Sequence, residues 1–174
     1  MKQRMIEYYL RLARETSKLS RAVRLQVGAI IVTSDDCVLY GWNGTPTGWD
    51  NNCENRVWMD CDAGGWLDPL EIETRWPYEE YSDEDPTALI GRYYLKTKDE
   101  VLHAEMNAMM KLAKSTLSGK DATLFMTHSP CIHCAKAIYQ SGISSVYYID
   151  DYRSNDGVEF LGKCGVVTKK YPIN

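Results

Sequence analysis

The sequence lacks an apolar run of the roughly 18 residues that a membrane-spanning helix needs. Residues 1–23 alternate charged with apolar side chains, whereas a secretory signal needs an unbroken apolar stretch. A basic excess is missing too, because 20 Lys and Arg stand against 24 Asp and Glu, for a net charge of −4. Long nucleic acid is therefore not an expected partner. We expect a cytoplasmic protein without membrane or nucleic-acid contacts, although small anionic ligands remain open since a few local donors suffice to bind them.

Histidine and paired cysteines are scarce as well. The chain has three histidines, six cysteines and one C-x-x-C pair, Cys131 with Cys134. In a cytoplasmic protein such cysteines are more often thiols or metal ligands than disulfides. A closed structural zinc site takes four protein ligands, so the lack of a second C-x-x-C pair argues against one.

Hydrophobic periodicity predicts alternating helices and strands. The pattern indicates a helix over residues 3–18 and two strands at 27–32 and 38–42. Beyond residue 99 it predicts helix 103–115, strand 122–127, helix 131–142, strand 144–150, helix 155–165 and strand 166–170. Residues 44–99 show no regular pattern, which is typical of an insertion, a lid or a binding loop. The order predicts an α/β fold in which helices cover the faces of a mixed sheet.

The segment SPCIHC places Cys131 and Cys134 on one face of a helix first turn, directly after a strand. Unpaired backbone N–H groups and the helix dipole lower thiol pKa values there and stabilise thiolates. Taken alone, the pair is equally compatible with a redox couple, with half of a metal site, or with two small buried residues.

A second helix start, with the sequence HAE, narrows these alternatives. His103 precedes Cys131 by 28 residues, with one predicted strand between them, so two neighbouring helix N-termini can bring His103, Cys131 and Cys134 together. Three ligands leave a zinc position open for water, and the Glu105 carboxylate can take and pass on the proton of that water. The pair of motifs matches the H-x-E with P-C-x-x-C signature of zinc deaminases. Of the other histidines, His133 should point away from the shared face, and His128 should line the site or face solvent.

On these residues the sequence resembles the cytidine deaminase superfamily, and within it the deoxycytidylate (dCMP) deaminases. The matching segments are QVGAIIV, GWNGTPTG, HAEMNAM, SPCIHCAKAIYQSGI and VYYIDDYR, which cover most of the chain outside residues 50–100. The resemblance implies one domain over residues 1–174, with an insertion at about 50–100. It also implies a three-layer cytidine deaminase-like fold, with helices on both faces of a mixed five-stranded sheet.

The resemblance also implies the activity and the residues that carry it. The expected reaction is the hydrolysis of dCMP to dUMP and ammonia, which supplies the precursor of dTMP. One Zn2+ per chain would be held by His103, Cys131 and Cys134, with Glu105 as the catalytic proton carrier. The expected substrate-binding residues are Asn43, Thr45, Ala104, Ser129, Tyr152 and Arg153.

Members of this family are commonly homohexamers that dCTP activates and dTTP inhibits, with Mg2+ accompanying the triphosphate. The resemblance therefore implies a small-molecule nucleotide as substrate and effector, and assembly of several copies. The expected effector contacts lie in and just after the GWNGTPTG loop, at Asn43, Gly44, Gly48 and Asn51.

Two other functions remain open at this point. One is a deaminase that acts on a base within nucleic acid, against which the acidic balance counts. The other is a non-catalytic, zinc-stabilised interaction module. Glu105 separates this last function from the enzymes, because a purely structural zinc site has no use for that carboxylate.

Overall fold

The computed structural model describes residues 1–59 and 78–173. These residues contain four helices and eight strands, and none of these helices is long and apolar enough to cross a membrane. The helices are α1 (Gln3–Ser17), α2 (Ala104–Ala113), α3 (Ile132–Gln140) and α4 (Asp156–Lys163). The strands are β1 (Gly28–Val32), β2 (Val38–Trp42), β3 (Glu54–Met59), β4 (Tyr78–Tyr81), β5 (Leu89–Thr97), β6 (Thr123–His128), β7 (Ser145–Asp150) and β8 (Val167–Lys170).

Five strands form the main sheet, in the order β2–β1–β6–β7–β8. Both neighbours of β1 run antiparallel to it, whereas β6, β7 and β8 pair in parallel. Parallel neighbours need a crossover connection, and α3 and α4 provide the two that the sheet requires. The predicted mixed five-stranded sheet is therefore confirmed.

The interior strand β1 separates two hydrophobic cores, and all five of its residues are buried. Because successive side chains of a strand point to opposite faces, Ile30 and Val32 pack with Leu10 of α1. Ala29 and Ile31 point the other way, into the core that residues of α2, α3 and α4 complete. Helices thus cover both faces, and the predicted three-layer arrangement is confirmed.

A second sheet lies within residues 44–99, where the sequence shows no regular pattern. Its strands are antiparallel and follow the order β3–β5–β4. The expectation of an irregular stretch is therefore wrong for the described part of this segment. The residues of β5 are exposed or half-buried, so the strand carries no clear alternation and is defined by its pairing. Residues 60–77 of the predicted insertion lie outside the described residues, and the single-domain organisation stays a prediction.

A close approach of β2 to α2 fixes the position of the helix that carries Glu105. A Cβ atom at Gly41 would lie 2.3 Å from the carbonyl oxygen of Ala104 and 2.6 Å from the amide nitrogen of Ala108. Main-chain atoms of a helix cannot move locally out of the way. A side chain at position 41 would therefore push the start of α2 away from the sheet.

We expect Gly41→Ala to lower the free energy of unfolding by about 1–3 kcal/mol or more, because the added methyl overpacks this contact. Gly162→Ala is the matched control, since a Cβ at Gly162 meets no atom within 4 Å. Inside α4 that change should be neutral or should stabilise by up to about 1 kcal/mol. Urea denaturation of both variants measures the difference, and equal midpoints would contradict the assigned contact.

Candidate active site

Two helix N-termini meet beside the carboxyl end of β6. His103 and Cys131 are the residues that precede α2 and α3, and both have extended backbone conformations. His103 Nδ1 lies 3.7 Å from Cys131 Sγ and 3.4 Å from Cys134 Sγ. All three donor atoms lie within 4.8 Å of one another. The predicted convergence of His103 with the two cysteines, which follow it by 28 and 31 positions, is confirmed.

The separations fit a tetrahedral zinc ion. With Zn–S bonds of about 2.3 Å and Zn–N bonds of about 2.0 Å, a tetrahedral ion holds its sulfur and nitrogen ligands about 3.5 Å apart. Two thiolates and one imidazole are also donors that zinc prefers. Among residues 1–59 and 78–173, no fourth His, Cys, Asp or Glu joins the cluster, so a bound zinc would keep one position for water. His133 is exposed and lies outside the cluster, as expected.

The electrostatics of the cluster favour a thiolate. A hydrogen bond from Cys134 lowers the pKa of Cys131 to about 3, with a further contribution from His103 and against the effect of burial. The same hydrogen bond raises the pKa of Cys134, and burial and the neighbouring Glu105 carboxylate raise it further. Two adjacent thiolates repel each other unless a cation lies between them. The chemistry of the donor set therefore suits a dication that draws off the second thiol proton.

Glu105 lies in the first turn of α2, next to the three ligands. Its side chain is only 4% exposed, and burial raises the pKa of its carboxyl, while the His103 imidazole and a hydrogen bond from Cys134 lower it. A carboxyl group in this setting can hold and release a proton beside the open zinc position. The location of Glu105 therefore agrees with the predicted role.

The cluster opens into a cavity of about 490 Å³. This size is within the range of pockets that hold small-molecule ligands. His103, Glu105 and Cys131 line one part of the cavity, and His128 lines it as well. Residues of both sheets complete the wall, among them Tyr94, Leu95 and Thr97 of β5.

Comparison with known proteins decides the family. Residues 3–150 match the sequence model of the cytidine and deoxycytidylate deaminase zinc-binding region. This chain belongs to that family. The predicted resemblance is therefore confirmed, and the family together with the His103–Cys131–Cys134 cluster supports zinc as the metal of this chain.

Named relatives of the deaminase agree with this assignment. The deoxycytidylate deaminase of Enterobacteria phage T4 is 30% identical over 165 residues, covering 84% of this chain and 78% of the phage protein. The human deoxycytidylate deaminase is 28% identical over 159 residues, covering 86% and 67% of the two chains. The dCMP deaminase from cyanophage S-TIM5, solved with dCMP and dUMP, is 35% identical, with a TM-score of 0.72 and coverage of 98% and 99%.

Five of the six residues predicted to bind substrate line the cavity of the deaminase: Asn43, Ala104, Ser129, Tyr152 and Arg153. The Ala104 amide belongs to the first turn of α2, where N–H groups lack helical partners. Ser129 is buried, and its hydroxyl accepts a hydrogen bond from the Tyr152 amide at 2.8 Å. That bond ties the end of β6 to the segment after β7, so Ser129 and Tyr152 form one wall.

Asn43 also lines the cavity, and its side chain already makes two hydrogen bonds. Its Oδ1 accepts from the Val27 amide at 2.8 Å, and its Nδ2 donates to the Leu25 carbonyl at 2.9 Å. A carboxamide has two donor protons and two acceptor lone pairs. Asn43 can therefore hold the segment before β1 and still offer one donor and one acceptor to a sugar hydroxyl, so its predicted role stays open.

The remaining predicted residues are not among those that line the cavity. Thr45 has a buried Oγ1 without a hydrogen-bond partner among the described residues. Gly44 makes two main-chain hydrogen bonds with Leu102, one residue before the zinc ligand. Gly48 and Asn51 have φ angles of 92° and 60° and lie exposed in the following loop. The roles of Thr45 in substrate binding and of this loop in effector binding remain predictions.

Sequence reasoning missed Arg24, Glu54 and Thr97, which all line the cavity of the deaminase. Arg24 lies just ahead of the QVGAIIV segment and belongs to no motif, so the sequence gives no reason to single it out. Glu54 and Thr97 belong to β3 and β5, which the sequence pattern does not reveal. No local signal could have found them, because the pairing of two distant segments brings them to the site.

Proposed function

We propose that the chain hydrolyses dCMP to dUMP and ammonia. The observation that carries this proposal is a single cavity that holds the zinc cluster, a buried glutamate and two arginines. Relatives named deoxycytidylate deaminase support it, as does the cyanophage enzyme that was solved with dCMP and dUMP. The zinc end of the cavity suits the reacting base, and the arginines suit an anion.

The two arginines are the reason for proposing a nucleotide, and not a free nucleoside, as the substrate. Arg24 is half-buried, and Arg153 lies in the loop after β7, with its guanidinium 5.9 Å from the centre of the Tyr152 ring. A guanidinium offers planar paired donors that match a phosphate. Among the described residues, no carboxylate forms an ion pair with either arginine. Both charges are therefore available to a 5′-phosphate.

The reaction needs one proton carrier that stays beside the base. When bound, zinc supplies a Lewis acid that brings the pKa of a coordinated water towards about 7. Glu105 takes a proton from the attacking water and delivers it to the ring nitrogen next to the reacting carbon. It then carries the second proton of that water to the amine, which leaves as ammonia. Burial of Glu105 keeps competing water away from these transfers.

The proposal extends to the regulation of the enzyme and to its assembly. We propose that dCTP activates and dTTP inhibits, each with Mg2+, and that copies of the chain assemble into a homohexamer. The support is the resemblance of the GWNGTPTG loop to that of the regulated enzymes. Gly48 gives this loop a left-handed turn in which the backbone can approach a phosphate closely.

The direct test measures ammonia release from dCMP, deoxycytidine, dCTP and a single-stranded oligonucleotide, using zinc-loaded protein. We expect dCMP to give the highest kcat/KM, because only a monophosphate fills both ends of the cavity. Faster turnover of the oligonucleotide would favour a nucleic-acid deaminase instead. Zinc binding without turnover of any substrate would favour the interaction module.

A second assay tests the regulation. The dCMP rate is measured with Mg2+ alone, with dCTP and with dTTP, at a dCMP concentration below KM. We expect dCTP to raise the rate and dTTP to lower it. An unchanged rate with both effectors would remove the regulatory part of the proposal and leave the catalytic part intact.

A further inference from the structure

We propose that Glu54 and Thr97 are positioning residues, through which the second sheet holds Arg24 towards the phosphate of the substrate. The inference rests on the proposed nucleotide substrate, and it assigns the second sheet a role in binding that substrate. It concerns residues outside the zinc cluster and outside the motifs of the sequence analysis.

The first observation is the way Glu54 holds the main chain of Arg24. Glu54 is the first residue of β3 and is only 6% exposed. Its Oε1 accepts hydrogen bonds from the amides of Val23 and Arg24, at 3.1 and 3.2 Å. A carboxylate acceptor makes such bonds stronger than a neutral one would. A residue of the second sheet therefore fixes the main-chain position of the segment before β1.

The second observation is the contact at the other end of Arg24. Its Nη1 donates a hydrogen bond to the Thr97 hydroxyl at 3.1 Å. Thr97 is the last residue of β5, and in the β3–β5 pairing it lies directly opposite Glu54. One cross-strand pair therefore holds both the main chain and the side chain of Arg24. A long, flexible side chain that is held at both ends loses less conformational entropy when it binds a ligand.

The third observation is that Arg24 lines the same cavity as the residues that follow β7. Burial raises the pKa of the Tyr152 hydroxyl, and the positive charge of Arg24 opposes that rise. Arg24, Tyr152 and Arg153 line the same cavity. A phosphate between them would meet guanidinium groups from two separate segments, and the Glu54–Thr97 pair keeps one of the two in place.

This arrangement separates a positioning role from a general structural one. Losing the Thr97 hydroxyl frees the guanidinium but leaves the zinc cluster and Glu105 untouched. The loss of binding affinity should therefore be larger for ligands that carry a 5′-phosphate than for ligands without one. A change that merely loosened the fold would weaken both kinds of ligand alike.

The test measures the dissociation constants of dUMP and deoxyuridine by isothermal titration calorimetry for the wild-type, zinc-loaded protein and for Thr97→Val. We expect the preference for dUMP over deoxyuridine to fall about five- to tenfold in the variant, the usual net effect of one hydrogen bond. Thr97→Ser keeps the hydroxyl and should keep the preference. Glu54→Gln weakens the acceptor of the Val23 and Arg24 amides and should also lower the preference for dUMP.

Thr168→Val is the matched control, because Thr168 is also half-buried on a strand and does not line the cavity. It should bind both ligands as the wild type does. Thr97→Val with an unchanged preference would overturn the inference, and so would Thr97→Ser with the same loss as Thr97→Val. Turnover of dCMP is measured separately on the wild type. A wild type that prefers dUMP but leaves dCMP unreacted would contradict the proposed function, and loss of that preference in Thr97→Val would still support this inference.

Discussion

Replacing Glu105 with Gln is expected to lower kcat for dCMP by about 10²- to 10⁴-fold, the usual contribution of a general acid–base group. Glutamine has nearly the same shape but cannot take a proton from water. The zinc ligands lie on other residues, so the variant should keep its metal. Binding of dUMP should change little, because the loss falls on proton transfer and not on the phosphate contacts.

The measurement pairs zinc content with the initial rate of dCMP turnover. Glu100→Gln is the control, since Glu100 is exposed, lies five residues before Glu105 and does not line the cavity. It should keep the wild-type rate. A Glu105→Gln variant that holds zinc and still turns over dCMP at the normal rate would exclude Glu105 as the proton carrier. Loss of zinc in that variant would show that the carboxylate supports the metal instead.

Replacing Cys134 with Ser is expected to remove both zinc and activity. Cys134 is buried, and its sulfur lies 3.4 Å from His103 Nδ1. A serine hydroxyl stays protonated at neutral pH, whereas zinc needs a deprotonated ligand. The loss of metal affinity should exceed the roughly 10- to 100-fold that the loss of an outer-shell partner costs. The melting temperature should fall as well, because bound metal stabilises the folded state.

Zinc content after dialysis and the rate with added zinc test this prediction. Cys164→Ser is the matched control, because Cys164 is a half-buried free cysteine outside the cluster. It should bind one zinc per chain and keep its activity. Equal zinc content in the Cys134 and Cys164 variants would mean that the cluster is not the metal site.

The order of elements around the main sheet could be predicted because each has a local signal. Ile6, Leu10 and Ala13 recur at helical spacing and are buried along α1. The strand β1 is a β-branched run that is buried on both sides. The second sheet could not be predicted in this way, because its strands are exposed or half-buried in large part and obtain their hydrogen bonds from segments far along the chain.

The metal site could also be predicted from the sequence only in part. His103, Glu105, Cys131 and Cys134 could be identified from sequence because each stands at the start of a helix, in a motif of fixed spacing. The two helix starts had to be adjacent in space, and the core that α2 and α3 share beside the sheet brings them together. Spacing alone established which residues were candidates, and the packing established the 3.4 and 3.7 Å separations that fit zinc.

By itself, the sequence identified the family of this deaminase and the candidate zinc ligands and proton carrier. Only the tertiary structure decided that Arg24, Glu54 and Thr97 line the same cavity as this proton carrier. The pairing of β3 with β5 places Thr97 opposite Glu54, and the Thr97 hydroxyl accepts a hydrogen bond from Arg24, 73 positions earlier in the chain. Such pairing leaves no periodic trace in the sequence, because its hydrogen bonds join main-chain groups that every residue other than proline carries in full.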